Sequence, residues 1–263
     1  MTGAAQKARV LVFDGEEPLA RFAAQTWDRI AEEALAERGR FAAALSGGRT
    51  PVGFYRALAG GERTVSWEAV HLFQVDERFV PPADRDSNYG LIQTCLLQGI
   101  SIPTGNVHPI RTDLPTPAAA AVRYEEELLR HFRPETKQIP RFDFVLLGMG
   151  KDGHTASLFP ESSSLHDKQH LVLAVRPAAA LHDRITLALT IINSARSIVF
   201  MVTGKEKAAA LRKVVEENDP ALPASLIEPA DGDLTFLLDR EAAALLPPDV
   251  FQKGETIHSL RGK

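Results

Sequence analysis

Short apolar runs alternate along this chain with longer segments in which apolar positions recur every three or four residues. The runs fall at 9–13, 41–45, 70–75, 142–147, 171–175, 197–202 and 234–238. Each has the length and character of a strand that a parallel sheet buries on both faces. The clearest helical segment carries Leu19, Phe22, Ala23, Trp27, Ile30, Ala31, Ala34 and Leu35 on one side and Arg29, Glu32 and Glu33 on the other, with Gly39 just past its end. A second follows Pro117 and is marked by Val122, Leu128, Leu129 and Phe132. A third carries Ala208, Leu211, Val214 and Val215, and opens on T-G-K-E at 203–206, the spacing of a capping box.

This alternation predicts the α/β class: a parallel or mostly parallel sheet with helices on both faces. The Pro-containing segments around Pro81, Pro103, Pro115 and Pro247 read as loops, not as linkers between domains. One domain is therefore expected over 1–263, with its core at about 9–246 and a polar, frayed tail from about 252.

Composition narrows the class. With 44% hydrophobic and 24% charged residues in 263, the chain has ordinary globular usage and is long enough for a full core. A net charge of -4 without any Lys/Arg cluster argues against nucleic acid as a partner, so an anionic substrate must be held by a few placed cations and backbone amides. The single cysteine, Cys95, forms no internal disulfide, and Leu96 and Leu97 beside it suggest a buried thiol in a reducing compartment. There is no apolar run of membrane-spanning length and no signal-peptide pattern at the N-terminus; a cytoplasmic protein without membrane partners is expected.

Candidate chemistry collects where the apolar runs end. The run at 142–147 is followed by G-M-G-K-D-G-H-T-A-S-L-F-P at 148–160, which puts Asp152 and His154 on a loop loosened by Gly148, Gly150 and Gly153. That is the crevice position in open α/β sheets. Taken alone, a G-x-G followed by histidine is more often a structural turn. Next to the run at 41–45 lies S-G-G-R-T-P, in which Thr50 suits a helix N-cap and Pro51 the first helical position. Ser46, Gly47 and Gly48 would then present backbone N–H groups to a phosphate, and Arg49 could add a charge-assisted bond. An ordinary capped helix start fits this loop equally well, since it lacks the Lys-Ser/Thr ending of a nucleotide-binding loop.

Asp76, Glu77 and Arg78 close the run at 70–75, while Ser87 or Asn88 reads as the cap of a helix and as mainly structural. Arg184 and Lys205 are further cations beside predicted strands or helix starts, useful only if they share a crevice with Ser46. There is no G-x-S-x-G elbow, no H-E-x-x-H and no Cys-rich motif. His71, His108, His131, His166, His170, His182 and His258 show no ligand-like spacing along the chain. These features leave a metal-free site with a histidine base, an aspartate and cations.

Together these segments closely resemble those of 6-phosphogluconolactonases, collinearly from about residue 9 to about 246. The motifs are S-G-G-R-T-P at 46–51, V-D-E-R-F-V-P at 75–81, S-N-Y-G-L at 87–91 and the whole of 148–160. R-I-T-L at 184–187, T-G-K-E-K-A at 203–208 and L-P-A-S-L at 222–226 complete the set. The related glucosamine-6-phosphate deaminases share the S-G-G-x-T-P loop and the D-G-H core, but they look like D-G-H-I-A-F-N-E-P where this chain has T-A-S-L-F-P at 155–160. Leu91 stands where many lactonases have methionine, a nearly isosteric change.

The resemblance implies a three-layer Rossmann-like fold and hydrolysis of 6-phospho-D-glucono-1,5-lactone. Ser46, Gly47, Gly48, Arg49, Thr50, Arg184 and Lys205 are the implied phosphate grip, and His154 the implied general base. Asp76 and Arg78 are implied at the lactone end, and Gly150, Lys151, Asp152 and Gly153 in the active-site loop. Backbone N–H groups near Gly150 and Gly153, or the Arg78 guanidinium, are the candidate oxyanion donors. A monomer with a sugar-phosphate lactone as its small-molecule partner, and neither cofactor nor metal, is expected. A deaminase-like sugar-phosphate isomerase and a non-catalytic sugar-phosphate-binding protein are the alternatives.

Overall fold

The apolar runs become two sheets in the computed structural model, which describes residues 8–61, 65–133, 138–177 and 181–254. In chain order the strands are β1 (Arg9–Phe13), β2 (Phe41–Leu45), β3 (Val70–Gln74), β4 (Asp76–Arg78), β5 (Val107–His108), β6 (Phe144–Leu147), β7 (Val172–Val175), β8 (Arg184–Leu187), β9 (Ser197–Val202), β10 (Asp233–Asp239) and β11 (Gln252–Lys253). Eight of them pair in parallel in the order β11-β1-β10-β9-β6-β2-β3-β5, and a smaller antiparallel sheet has the order β4-β8-β7. The helices are α1 (Glu16–Arg38), α2 (Val52–Gly60), α3 (Asn88–Cys95), α4 (Pro117–Phe132), α5 (Leu189–Ile192) and α6 (Ala208–Arg212). Among the described residues no helix is long and apolar enough to cross a membrane.

The side chains of the parallel strands divide between two cores, one on each face, because successive residues of a strand point in opposite directions. Val145 and Leu147 of β6, with Ile198 and Phe200 of β9, pack on α4 residues Tyr124 and Leu128. Phe144, Leu146, Val199 and Met201 pack instead with α1 and α2. Trp27 is the hub of that second layer, its ring centroid 4.7 Å from Phe41, 5.3 Å from Phe144 and 5.9 Å from Phe54. The three-layer arrangement is thus the one expected.

Several boundaries differ from the pattern, each for a local reason. The run at 142–147 enters the sheet only at Phe144, since the Asp143 carboxylate takes the Ala42 N–H at 2.9 Å and the Arg38 Nε at 3.0 Å. The run at 70–75 leaves the large sheet at Val75, whose N–H bonds Leu45 O while its C=O accepts from Leu187 N, so the chain passes there into the small sheet. The run at 171–175 joins the small antiparallel sheet. The tail expected to fray from about 252 begins instead as β11, paired with β1 and held by Gly254 N to Val12 O at 2.7 Å. The rest of that tail, with His258, lies outside the described residues. Cys95 is half-buried against the α1–α2 layer.

Two of the expected helix starts also change. Helix α2 begins at Val52 with Pro51 at its N-cap, and the Thr50 hydroxyl lies 3.2 Å from the Thr203 hydroxyl. T-G-K-E at 203–206 makes no capping box: Gly204 has φ 96°, and its N–H donates to the Asp239 carboxylate. Ser87 and Thr116 do cap α3 and α4, accepting from Gly90 N and Ala119 N.

Candidate active site

Four adjacent strands of the large sheet, β9, β6, β2 and β3, deliver the polar segments to one place. Thr203 follows β9, Gly148 follows β6, Ser46 follows β2, and Asp76 comes two residues after β3. Together with Arg184 they line a cavity of about 550 Å³ outside the carboxyl ends of these strands, where open parallel sheets bind their ligands.

The loop after β6 holds an aspartate–histidine pair. His154 Nδ1 lies 2.6 Å from Asp152 Oδ1, and the same oxygen accepts the His154 N–H at 3.2 Å. Burial works against ionised Asp152, but the His154 charge and its hydrogen bonds outweigh that and hold the carboxyl below its ordinary range. An ionised Asp152 accepts only, so Nδ1 of His154 carries a proton, and the neutral form of the ring has its lone pair on Nε2.

Glycine at 150 is required by proximity, because a Cβ there would meet His154 Nδ1 at 2.1 Å and Asp152 Oδ1 at 2.5 Å. Gly153 adopts φ 78° and donates to Gly150 O, while Gly150 N–H donates to His154 O at 2.8 Å. Those two amides are therefore already bonded and unavailable to an oxyanion. Ala156, on the cavity wall, takes φ 51° and is held beside a local bridge between Thr155 and Leu158. A left-handed alanine costs roughly 1–2 kcal/mol, strain of the kind found at functional sites.

Asp152→Asn tests the pair: an amide can present either donor or acceptor to Nδ1, so the tautomer is no longer imposed. A loss of about 10- to 100-fold in kcat with little change in KM is expected in steady-state kinetics. That is less than the roughly 10⁴-fold loss when a fully buried triad aspartate is changed, since Asp152 is half exposed.

The Asp76–Arg78 cluster divides into three different tasks. Asp76, 5% exposed, accepts from Ser157 Oγ at 2.6 Å and Asn88 Nδ2 at 3.2 Å and faces the cavity. Glu77, 1% exposed, points away from the cavity and anchors the start of α3. It accepts from the backbone N–H groups of Arg78, Asn88 and Tyr89 at 2.7–2.8 Å, from Gln74 Nε2 at 2.9 Å and from Ser87 Oγ at 3.2 Å. Burial still pushes its carboxyl up against those bonds. Removing the acceptor strands several buried donors, so Glu77→Ala is expected to cost about 3–5 kcal/mol in urea unfolding.

Arg78 is the third member, and its position is set by strand register. In the small sheet Arg78 stands directly opposite Arg184. Like charges so placed repel: burial first, and then the Arg78 charge, hold the Arg184 guanidinium below its ordinary range, with Asp76, Glu77 and Asp86 opposing. Arg78 Nη1 donates to Asp86 O at 2.6 Å, but the Nε atoms of both arginines are buried without a partner. Both residues line the cavity. Unpartnered guanidinium N–H groups of this kind are satisfied by anionic oxygens bound in the cavity. A second set of groups suited to an anion faces the same space: the N-terminus of α2 with Ser46, Gly47, Gly48, Arg49 and Thr50. Ser46 Oγ donates to Leu146 O at 2.6 Å and so fastens the loop to β6, leaving backbone amides as the donors there.

The chain matches the family of glucosamine-6-phosphate isomerases/6-phosphogluconolactonase over residues 14–236. It belongs to that family. A 6-phosphogluconolactonase from Synechocystis sp. is 41% identical over 218 residues, 82% of this chain and 89% of that protein. The solved structure of 6-phosphogluconolactonase from Trypanosoma brucei aligns with a TM-score of 0.80 and 29% identity, over 92% of this chain and 99% of that one. A monomeric glucosamine-6-phosphate deaminase aligns with a TM-score of 0.75 and 25% identity, over 90% of this chain and 99% of that one. Both branches of the glucosamine-6-phosphate isomerase/6-phosphogluconolactonase family thus share this scaffold, and the site must separate them.

As a member of that family, the chain brings most of the residues singled out from its sequence to the cavity. Ser46, Gly47, Gly48, Arg49, Thr50, Asp76, Arg78, Gly150, His154 and Arg184 all line it. Lys151, Asp152, Gly153 and Lys205 do not, although Asp152 reaches the site through His154. Lys205 is exposed at the start of a tight turn, and Lys207, two residues on, lines the cavity instead.

Asn88, read from sequence as a helix cap, is a cavity residue. Its Nδ2 donates to Asp76 O at 2.9 Å, and its Oδ1 is buried without a partner, a free acceptor for a substrate hydroxyl. It also explains Gly47, where a Cβ would lie 1.8 Å from that oxygen. The signal available in the sequence was Ser87, already sufficient as the cap, which left Asn88 without a structural task.

Proposed function

We propose that the chain hydrolyses 6-phospho-D-glucono-1,5-lactone to 6-phospho-D-gluconate, with His154 as general base. The observation that carries this reading is that His154, held by Asp152, and the Arg78–Arg184 pair line one cavity, a base beside a cluster of cationic donors. The names of the relatives support the lactone as substrate, and so does T-A-S-L-F-P at 155–160, where the deaminases differ.

In the proposed reaction the phosphate binds between Arg184, Lys207 and the amides at the α2 N-terminus. This orients the lactone carbonyl toward His154. Nε2 of His154 takes a proton from water as the water oxygen bonds to C1, and the carbonyl electrons move onto its oxygen. A neutral imidazole held by Asp152 suits this proton transfer. Arg78, which lines the cavity and has an unpartnered Nε, is the proposed donor for the oxyanion, the Gly150 and Gly153 amides being committed elsewhere. Collapse of the intermediate breaks the bond from C1 to the ring oxygen, which takes the proton back from Nε2. The new carboxyl group then loses its proton to solvent. Asn88 Oδ1 and Asp76 are placed to accept from sugar hydroxyls.

A coupled assay with freshly generated lactone tests the assignment. Hydrolysis well above the spontaneous rate is expected, and no ammonia from glucosamine-6-phosphate. Ammonia release, or binding of 6-phosphogluconate without any acceleration of lactone hydrolysis, would replace the proposal by one of its two alternatives.

A further inference from the structure

Three histidines far apart in sequence converge away from the cavity. His71 lies near the start of β3, about 16 Å along the chain from Asp76 at 3.3 Å per residue. His108 is on the edge strand β5, and His131 is next to last in α4. Their ring centroids are 4.4–5.5 Å apart, and one nitrogen from each lies within 4.8 Å of the other two. None of them lines the active-site cavity.

The chemistry of the cluster is that of a ligand set. His71 Nδ1 and His108 Nε2 are 3.2 Å apart. Two nitrogens bound at 2.0–2.1 Å to one tetrahedral ion would be about 3.3 Å apart, so this edge of the polyhedron is already formed. His131 Nε2 is buried without a hydrogen-bond partner, although a buried polar atom normally has one. Behind His108, Glu127 Oε1 lies 3.0 Å from Nδ1, the carboxylate–histidine contact that fixes the tautomer of metal-binding imidazoles and leaves the Nε2 lone pair free. Phe73 stacks on His108 at 4.2 Å, and Phe132 packs edge-on to His131 at 4.9 Å, giving the cluster an apolar wall. Arg40 is a charge opposed to a cation here, and Glu127 one that favours it.

We propose that His71, His108 and His131 bind a divalent transition-metal ion of the zinc class as a structural clamp, with water completing the coordination. Three imidazoles suit such an ion and not calcium or magnesium, which take oxygen ligands. The clamp joins the two-residue edge strand β5 to β3 and to the end of α4. On binding, the proton on His71 Nδ1 that bridges to His108 moves to His71 Nε2, and both facing lone pairs turn to the metal.

Calorimetry and Co²⁺ absorption spectra on the chelator-treated full chain test the proposal. Equimolar Zn²⁺ binding is expected, with a tetrahedral Co²⁺ spectrum. Tm should rise by about 5–10 °C at free zinc a hundredfold above Kd. His131→Ala should weaken binding by at least about 100-fold, and Glu127→Gln by about 10- to 100-fold. His154→Ala should bind zinc as the parent does, which separates this site from the catalytic pair. Comparing His131→Ala with the parent in the absence of metal, by circular dichroism and Tm, checks that the variant is folded. If it is not, His71→Asn serves the same purpose. Absence of saturable binding by the parent chain, equal binding by a folded ligand variant, or loss of binding in His154→Ala would each overturn the proposal.

Discussion

His154→Ala is expected to lower kcat for lactone hydrolysis by about 10²- to 10⁴-fold, the usual contribution of a positioned general base. KM should stay within a few-fold, because the groups proposed to hold the phosphate lie on other elements. The cost arises in the transition state: without Nε2, the attacking water must lose its proton to bulk solvent while its oxygen is bonding to C1. Truncation should not unfold the protein, since His154 is half-buried and, among the described residues, its side chain bonds only to Asp152, with Phe159 against its ring. Near-normal turnover in a folded His154→Ala protein would remove His154 as the base. The loop around Gly150 would then be a structural turn after all.

The second large effect is expected at the arginine pair, and its two members should differ. Arg184→Ala should raise KM by about 30- to 150-fold, equivalent to about 2–3 kcal/mol for a charge-assisted contact in a part-buried site, with a smaller change in kcat. That pattern reports an interaction made equally in the ground and transition states. Arg78→Ala should act mainly on kcat, by about 10²-fold, if its guanidinium meets the charge that develops on the carbonyl oxygen. Both variants also relieve the repulsion across β4 and β8, so Arg184→Ala is expected to unfold no more easily than the parent, while Arg78→Ala in addition loses the bond to Asp86 O. Equal KM effects from the two would place both guanidiniums on the phosphate and leave the oxyanion to the α2 amides. Inorganic phosphate as a competitive inhibitor distinguishes the cases, since only a residue on the phosphate should weaken it.

Much of this site could be read from single segments, because each contributes one loop after one strand. Ser46, Asp76 and His154 each follow an apolar run, and a strand buried on both faces needs only apolar side chains to be recognised. What failed was anything set by a neighbour. Lys205 and Lys207 differ in their access to the cavity because the chain turns tightly after Gly204, and the capping-box spacing gave no sign of it. Asn88 sits beside a residue that caps better than it does, so its contact with Asp76, twelve positions earlier, was invisible.

The sequence by itself determined the layered α/β class, the positions of the long strands and helices, and the loop that carries both Asp152 and His154. These depend on local periodicity and on contacts two residues apart. Only the tertiary structure decided that Arg78 faces Arg184, that Glu77 anchors α3 while Asp76 faces the cavity, and that three histidines 37 and then 23 positions apart share one cluster. Strand β4, being Asp-Glu-Arg, carries no apolar pattern, and β5 is two residues long. Their placement comes from hydrogen-bond register with distant strands, and register is a property of the assembled sheet.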